Sequence, residues 1–191
     1  MSFMRGFLAI VAVACGYALL GLSLFTCVEI IARKLFSYSF QGVDELGGYI
    51  VAVTAAFGFA YALIERAHTR IDIVLMRSGK RGRAILNVLA LLATASFALF
   101  MAWRGVATLQ ETISFNSHSS TPWETPLWIP QLLWAFGLCL FAVVGLLLLS
   151  RAIYFSVTDP LRQDREVGVP QLTEQIDEVL QTQSDGARTQ Q

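Results

Sequence analysis

The chain has 191 residues, 55% of them hydrophobic and only 15% charged, and its 14 basic and 14 acidic residues cancel. The zero balance hides an asymmetry along the chain and identifies no partner by itself. Most of the apolar content lies in four long runs with no charge near their middles, which marks an integral membrane protein. It also speaks against a pathway of its own for ions, protons or charged solutes, which needs an ionisable group or a broken helix at mid-depth.

The runs cover residues 7–31, 46–64, 84–107 and 127–150. A helix of roughly 20 residues crosses about 30 Å of hydrocarbon, and backbone polar groups cannot stay unpaired in lipid, so each run is expected to be a helix. A period-two alternation, which a membrane barrel would need, is absent. The expected fold is therefore all-α, with four transmembrane helices. The first run reads as an uncleaved signal anchor. Ala12-Val13-Ala14-Cys15 only faintly matches a lipoprotein cleavage site, and the apolar stretch continues to Val28, past the roughly 7–15 residues of a signal-peptide core.

Span 1 ends in Glu29, Arg33 and Lys34. Glu29 and Arg33 are four residues apart and can pair on one helix face near the interface. Residues 37–43 form a short turn, and Asp44 and Glu45 open span 2, where the exposed N–H groups of a helix start favour acids. Span 2 places small residues at every fourth position (Gly48, Ala52, Ala56, Ala60), and span 3 repeats the device with Ala90, Thr94, Ala98 and Ala102. Such ridges let helix backbones approach closely, within the subunit or between subunits.

The connection after span 2 holds His68, Arg70 and Asp72, then the apolar stretch Ile73-Val74-Leu75-Met76 flanked by cations, which suits a segment lying on an anionic leaflet. Residues 108–126 form a polar loop ending in Pro122, Trp123 and Pro126, and Pro130 sits in the first turn of span 4, where it removes no helical hydrogen bond. Two domains are expected: a four-helix membrane domain over 1–158 and a cytoplasmic tail over 159–191. The tail is acidic, with seven acids against three bases, partly disordered, and able to form one short amphipathic helix behind Pro170.

Six basic residues lie within 65–83 and none within 108–126. The positive-inside rule therefore puts 65–83 and both termini in the cytoplasm, and 32–45 and 108–126 outside. In that topology Trp103, Trp123, Trp128 and Trp134 gather near the outer boundary, as an aromatic belt does.

His68 and His118 then fall on opposite sides of the bilayer and cannot share a metal or haem. The three cysteines sit within spans without a Cys-x-x-Cys pair. No catalytic, cofactor or metal site is expected, nor a nucleic-acid partner. Two alternatives remain at this point. One is a stand-alone four-helix transporter or exporter, which would need a buried carboxylate that spans 2 to 4 lack. The other is a membrane redox protein of quinone or disulfide chemistry, which would need an accessible cysteine pair.

Three stretches carry a family likeness: Arg33-Lys34-Leu35-Phe36 with Gly42-Val43-Asp44-Glu45-Leu46; Phe57-Gly58 with His68-Thr69-Arg70-Ile71-Asp72; and Ser120-Thr121-Pro122 with Trp128-Ile129-Pro130. In order and spacing, over roughly residues 5–155, the chain resembles the small (DctQ-type) membrane subunit of tripartite ATP-independent periplasmic (TRAP) transporters. The resemblance implies a multi-pass protein of the bacterial inner membrane serving sodium-driven symport of organic acids. A periplasmic binding protein captures the solute, and a large membrane subunit carries the substrate and sodium sites. The small subunit would form a heterodimer with the large one and brace its scaffold, without a substrate site of its own. Selectivity in this family resides in the other chains, so C4-dicarboxylates, sugar acids, sialic acid and sulfonates are all compatible.

For this chain the expected partner or phospholipid contacts are Arg33, Asp44 and Glu45 at the outer boundary, with the ridge of Gly48, Ala52, Ala56 and Ala60. His68, Arg70 and Asp72 would order the inner loop, and the outer loop, especially Thr121 to Trp123, would help to dock the binding protein.

Overall fold

The computed structural model describes residues 2–40, 42–65 and 80–158. Their regular structure is four helices: α1 (Ser2–Phe36), α2 (Val43–Ile64), α3 (Lys80–Ser114) and α4 (Trp128–Thr158). Pairing outside helices amounts to one isolated bridge among the described residues, between His118 and Pro126. All four helices are long and apolar enough to cross a membrane, over Met4–Phe36, Val43–Ile64, Ile85–Ser114 and Trp128–Ser156. The expected all-helical, four-span architecture is therefore found. His68, Arg70, Asp72 and the tail 159–191 lie outside the described residues.

The helices outrun the apolar stretches that announce them. α1 and α3 have 35 residues each, about 52 Å at 1.5 Å per residue, against about 30 Å of hydrocarbon. The excess is polar turns in which helical hydrogen bonding continues through the interface. The first seven residues of the expected loop 108–126 accordingly belong to α3, which runs through Ser114. It stops where Asn116 turns left-handed (φ 47°). There Ser117 N–H reaches back to the Thr112 carbonyl (3.1 Å) and Asn116 N–H to that of Ile113 (3.2 Å), a Schellman closure with asparagine in the place usually taken by glycine.

The chain divides into two compact units, Met1–His68 with Leu91–Leu149, and Thr69–Ala90 with Ser150–Gln191. In the first unit α1 and α2 pair antiparallel. At one end of the pair Arg5 grips Glu65 in a two-pronged ion pair, Nε–Oε1 2.6 Å and Nη2–Oε2 3.1 Å. Further along, Leu22 packs over Gly47. α4 is the most enclosed helix, with 44% of its most apolar stretch buried against 6% for α1.

Small residues set the spacing inside this unit. A Cβ on Gly137 of α4 would lie 2.9 Å from Ala56 Cβ of α2, and one on Gly145 would lie 3.3 Å from Ala95 Cα of α3. Backbones this close interact along their length by dispersion, the main adhesive between helices in hydrocarbon. Two ring pairs, Phe57–Phe136 at 6.1 Å and Phe59–Phe141 at 5.7 Å, fill the flanks of the α2–α4 seam. In the second unit Asn87 and Ala152 are buried, and the Arg151 guanidinium lies 6.0 Å from the centroid of the Phe155 ring.

Candidate functional site

Polar contacts between elements of the first unit concentrate at the helix ends. At the start of α2, Gly42 takes a left-handed conformation (φ 105°) as the residue before the helix. The six-membered ring of Trp123 lies against it, 3.0 Å from where a Cβ would stand. Glycine is needed there twice over, for the backbone angle and for the indole.

One turn further on, both carboxylate oxygens of Glu45 are used. Oε1 accepts from Tyr49 Oη at 2.6 Å, and Oε2 accepts from Thr121 Oγ1, 76 residues away. Thr121 is held in turn by Ser119, whose Oγ lies 3.1 Å from Thr121 Oγ1 and accepts the Thr121 N–H at 3.2 Å. The segment after α3 closes on itself through Ser119 N–H to Thr125 O (3.0 Å), Glu124 N–H to Thr121 O (3.0 Å) and Leu127 N–H to Ser117 O (3.2 Å). The loop is thus a folded hook, clamped to the start of α2 by one carboxylate and one indole.

A second knot ends α1. Glu29 is buried, only 4% exposed. It accepts from Arg33 Nη2 at 2.6 Å and from Ser39 Oγ at 3.0 Å. Ser37 is left-handed (φ 51°), which turns the chain back. Phe40 then packs on Phe25 (5.9 Å) and Tyr38 edges onto Phe40 (5.2 Å). Most of the Arg33 side chain stays exposed, so it carries both an internal bond and outward-facing donors.

The residues singled out from the sequence therefore separate. Arg33 and Glu45 each hold an internal contact, and Trp123 covers Gly42 while remaining half exposed. Asp44 is exposed. On the small ridge Gly48 and Ala52 face outward, whereas Ala56 and Ala60 are buried in the first unit. His68, Arg70 and Asp72 lie outside the described residues.

Several contributors are additional to that set: Gly42, Tyr49 and Ser119 in the clamp, Ser39 in the knot, and Gly105, Gly137 and Gly145 at close helix approaches. Tyr49 could have been found from its i,i+4 spacing to Glu45. The reach from Glu45 to Thr121 had no local signal. Among the described residues there is no group of three or more His, Cys, Asp or Glu side chains able to hold a metal ion. The arrangement fastens segments together, with the Ser39–Glu29 and Thr121–Glu45 hydroxyl–carboxylate contacts serving as ties between segments.

The match to known families decides the class. The model of the DctQ component of tripartite ATP-independent periplasmic transporters matches residues 22–154, more than half of the chain. The chain belongs to the DctQ family. It is a small permease component of a TRAP transporter and not an enzyme, and with four membrane-crossing helices it is a multi-pass protein of the bacterial inner membrane. DctQ components work with a large TRAP membrane subunit and a substrate-binding protein. No curated protein matches the chain.

Proposed function

We propose that this DctQ component forms a heterodimer with the scaffold of its large membrane subunit and braces it during sodium-driven uptake of an organic acid. It carries no substrate site of its own. The family match over 22–154 carries the reading. The placement of polar groups supports it: side chains that tie elements together gather at the helix ends, while spans 2 to 4 hold no Asp or Glu at mid-depth to bind a cation or relay a proton.

In the proposed orientation the Arg5–Glu65 end faces the cytoplasm, and the knot of Glu29 and the clamp of Glu45 face the periplasm. The hook around Trp123 would then offer a firm surface to the binding protein. Exposed Arg33 would meet phospholipid headgroups or the large subunit. The four helices of residues 1–158 form the membrane domain in this reading, and 159–191 a cytoplasmic tail.

Reconstitution tests the proposal. Vesicles holding both membrane subunits, supplied with the binding protein and a sodium gradient, are expected to accumulate solute, and vesicles lacking either membrane subunit are expected to accumulate none. Sodium-driven uptake by this chain alone would refute the bracing role.

A further inference from the structure

α1 carries an exposed stripe with a 3.5-residue period. Ile10, Val13, Tyr17, Leu20, Leu24 and Ile31 follow one another at steps of three, four or, across Cys27, seven residues, and each is more than half exposed. A stripe of this period is the seam by which two helices pack with a left-handed crossing, in membranes as in coiled coils. Aliphatic side chains alone would suit lipid equally well. Tyr17 breaks that equivalence.

Tyr17 stands twelve residues from Arg5 and twelve from Glu29, about 18 Å from each marker of the two helix ends. That puts it near the bilayer midplane, away from the headgroup level that tyrosine favours. Its side chain is 72% exposed, and its hydroxyl has no hydrogen-bond partner among the described residues. Hydrocarbon offers no acceptor, and the phenol is too short to reach either interface from mid-depth, so the hydroxyl requires a polar group brought by another protein.

The seam also says which protein. Continuing the heptad from Leu20 through Cys27 brings Lys34 to the Glu29 end of the same stripe, exposed and without an ion pair among the described residues. Two copies of α1 packed about a two-fold axis would set Lys34 against Lys34, a like-charge meeting that disfavours self-association.

We infer that the Tyr17 stripe of α1 is the seam against a transmembrane helix of the large subunit. That helix presents a hydrogen-bond acceptor opposite Tyr17 at mid-depth and an anionic side chain opposite Lys34. The inference rests on the heterodimer proposed above and adds which face of which helix makes it, with the chemistry of the facing residues.

The test uses the two membrane subunits expressed together. A benzophenone amino acid is placed singly at position 17, at 24, or at Leu99, an exposed residue of α3. Illumination in the membrane is expected to join positions 17 and 24 to the large subunit and to leave 99 unjoined. Tyr17→Phe removes one hydroxyl and spares the apolar ring, so the small subunit should fold normally. It is expected to retain the large subunit about three- to tenfold more weakly during purification, the size of interhelical hydrogen bonds in membranes.

Adducts between two small subunits, adducts with lipid alone at 17 and 24, equal joining from 99, or unchanged retention by Tyr17→Phe would each overturn the inference. If the unaltered subunits purify together and position 17 misses the large subunit, only this seam is wrong. If they never associate, the heterodimer reading fails and the seam fails with it.

Discussion

Replacing Gly137 by alanine adds one methyl group where α2 and α4 come closest. The new Cβ would stand 2.9 Å from Ala56 Cβ and 3.3 Å from both the Ala56 carbonyl carbon and Phe57 Cδ2. Ordinary carbon–carbon contact begins at about 3.5 Å, so the seam must open by roughly half an ångström. None of the neighbours can yield alone. Two belong to Ala56, one of them backbone, and the third lies on a buried ring held against Phe136. Overpacking of this kind costs about 1–3 kcal/mol, and the better helix propensity of alanine returns about 1 kcal/mol, leaving a net loss of up to about 2 kcal/mol.

The other glycines supply a graded series. At Gly145 the nearest atom is the Ala95 backbone at 3.3 Å, so Gly145→Ala should cost less. At Gly105 a Cβ also meets an atom at 2.9 Å, but that atom is Leu138 Cδ1, the end of a side chain that can turn. Gly58 has nothing within 4 Å, and Gly58→Ala should leave stability unchanged or slightly raised. Thermal unfolding of the detergent-purified subunit, followed by loss of monodisperse protein, reads the series. The expected order of melting temperatures is Gly58→Ala highest, then Gly105→Ala and Gly145→Ala, with Gly137→Ala lowest. A Gly137→Ala protein as stable as Gly58→Ala would show that the α2–α4 contact does not limit packing.

The clamp and the ion pair give two further expectations. Glu45→Ala strands the hydroxyls of Tyr49 and Thr121, at a cost of about 1–3 kcal/mol. Amide exchange should rise across 117–127 and hardly change at the Arg5–Glu65 end, and uniform exchange would contradict a local clamp. For the Arg5–Glu65 pair, whose side chains are 58% and 32% exposed, either Arg5→Glu or Glu65→Arg should cost no more than about 1 kcal/mol. The double swap should recover part of that loss in low salt and less in high salt, and the absence of any recovery would mean that the two residues act independently.

The sequence made the four spans plain because hydrocarbon imposes a length and a polarity that only long apolar runs satisfy. It marked their ends poorly for the same reason. Apolar runs report the hydrocarbon, whereas α1 and α3 continue into polar turns up to Phe36 and Ser114. The Glu29–Arg33 pair could be read because helical spacing makes it local. Ser39 on Glu29 and Thr121 on Glu45 could not, since each depends on how a turn or loop folds back.

The small ridge shows a different limit. Four residues advance a helix by 400°, so successive members rotate by about 40° and the line from Gly48 to Ala60 swings through about 120°. A row that looks continuous in sequence thus begins on the exposed face and ends in the core, with Gly48 and Ala52 outside and Ala56 and Ala60 inside. Which glycines meet a neighbouring backbone, as Gly137 and Gly145 do, depends on that rotation and on the partner helix, and composition carries neither.

The distribution of polar contacts has a common physical cause. A polar tie at mid-depth must be paired perfectly or it costs more than it contributes, whereas at the interface water tolerates imperfect pairing. The first unit accordingly places its Arg5–Glu65, Glu29–Arg33 and Glu45–Thr121 ties at helix ends, and close glycine and alanine contacts hold the seams between. Such an assembly resists shear at its ends and separation at its middle without offering a mid-depth charge to a passing ion. Introducing a charge at the buried Ala98 of α3 would therefore break the fold before it created a pathway, because burying an unpaired charge costs far more than such a seam contributes.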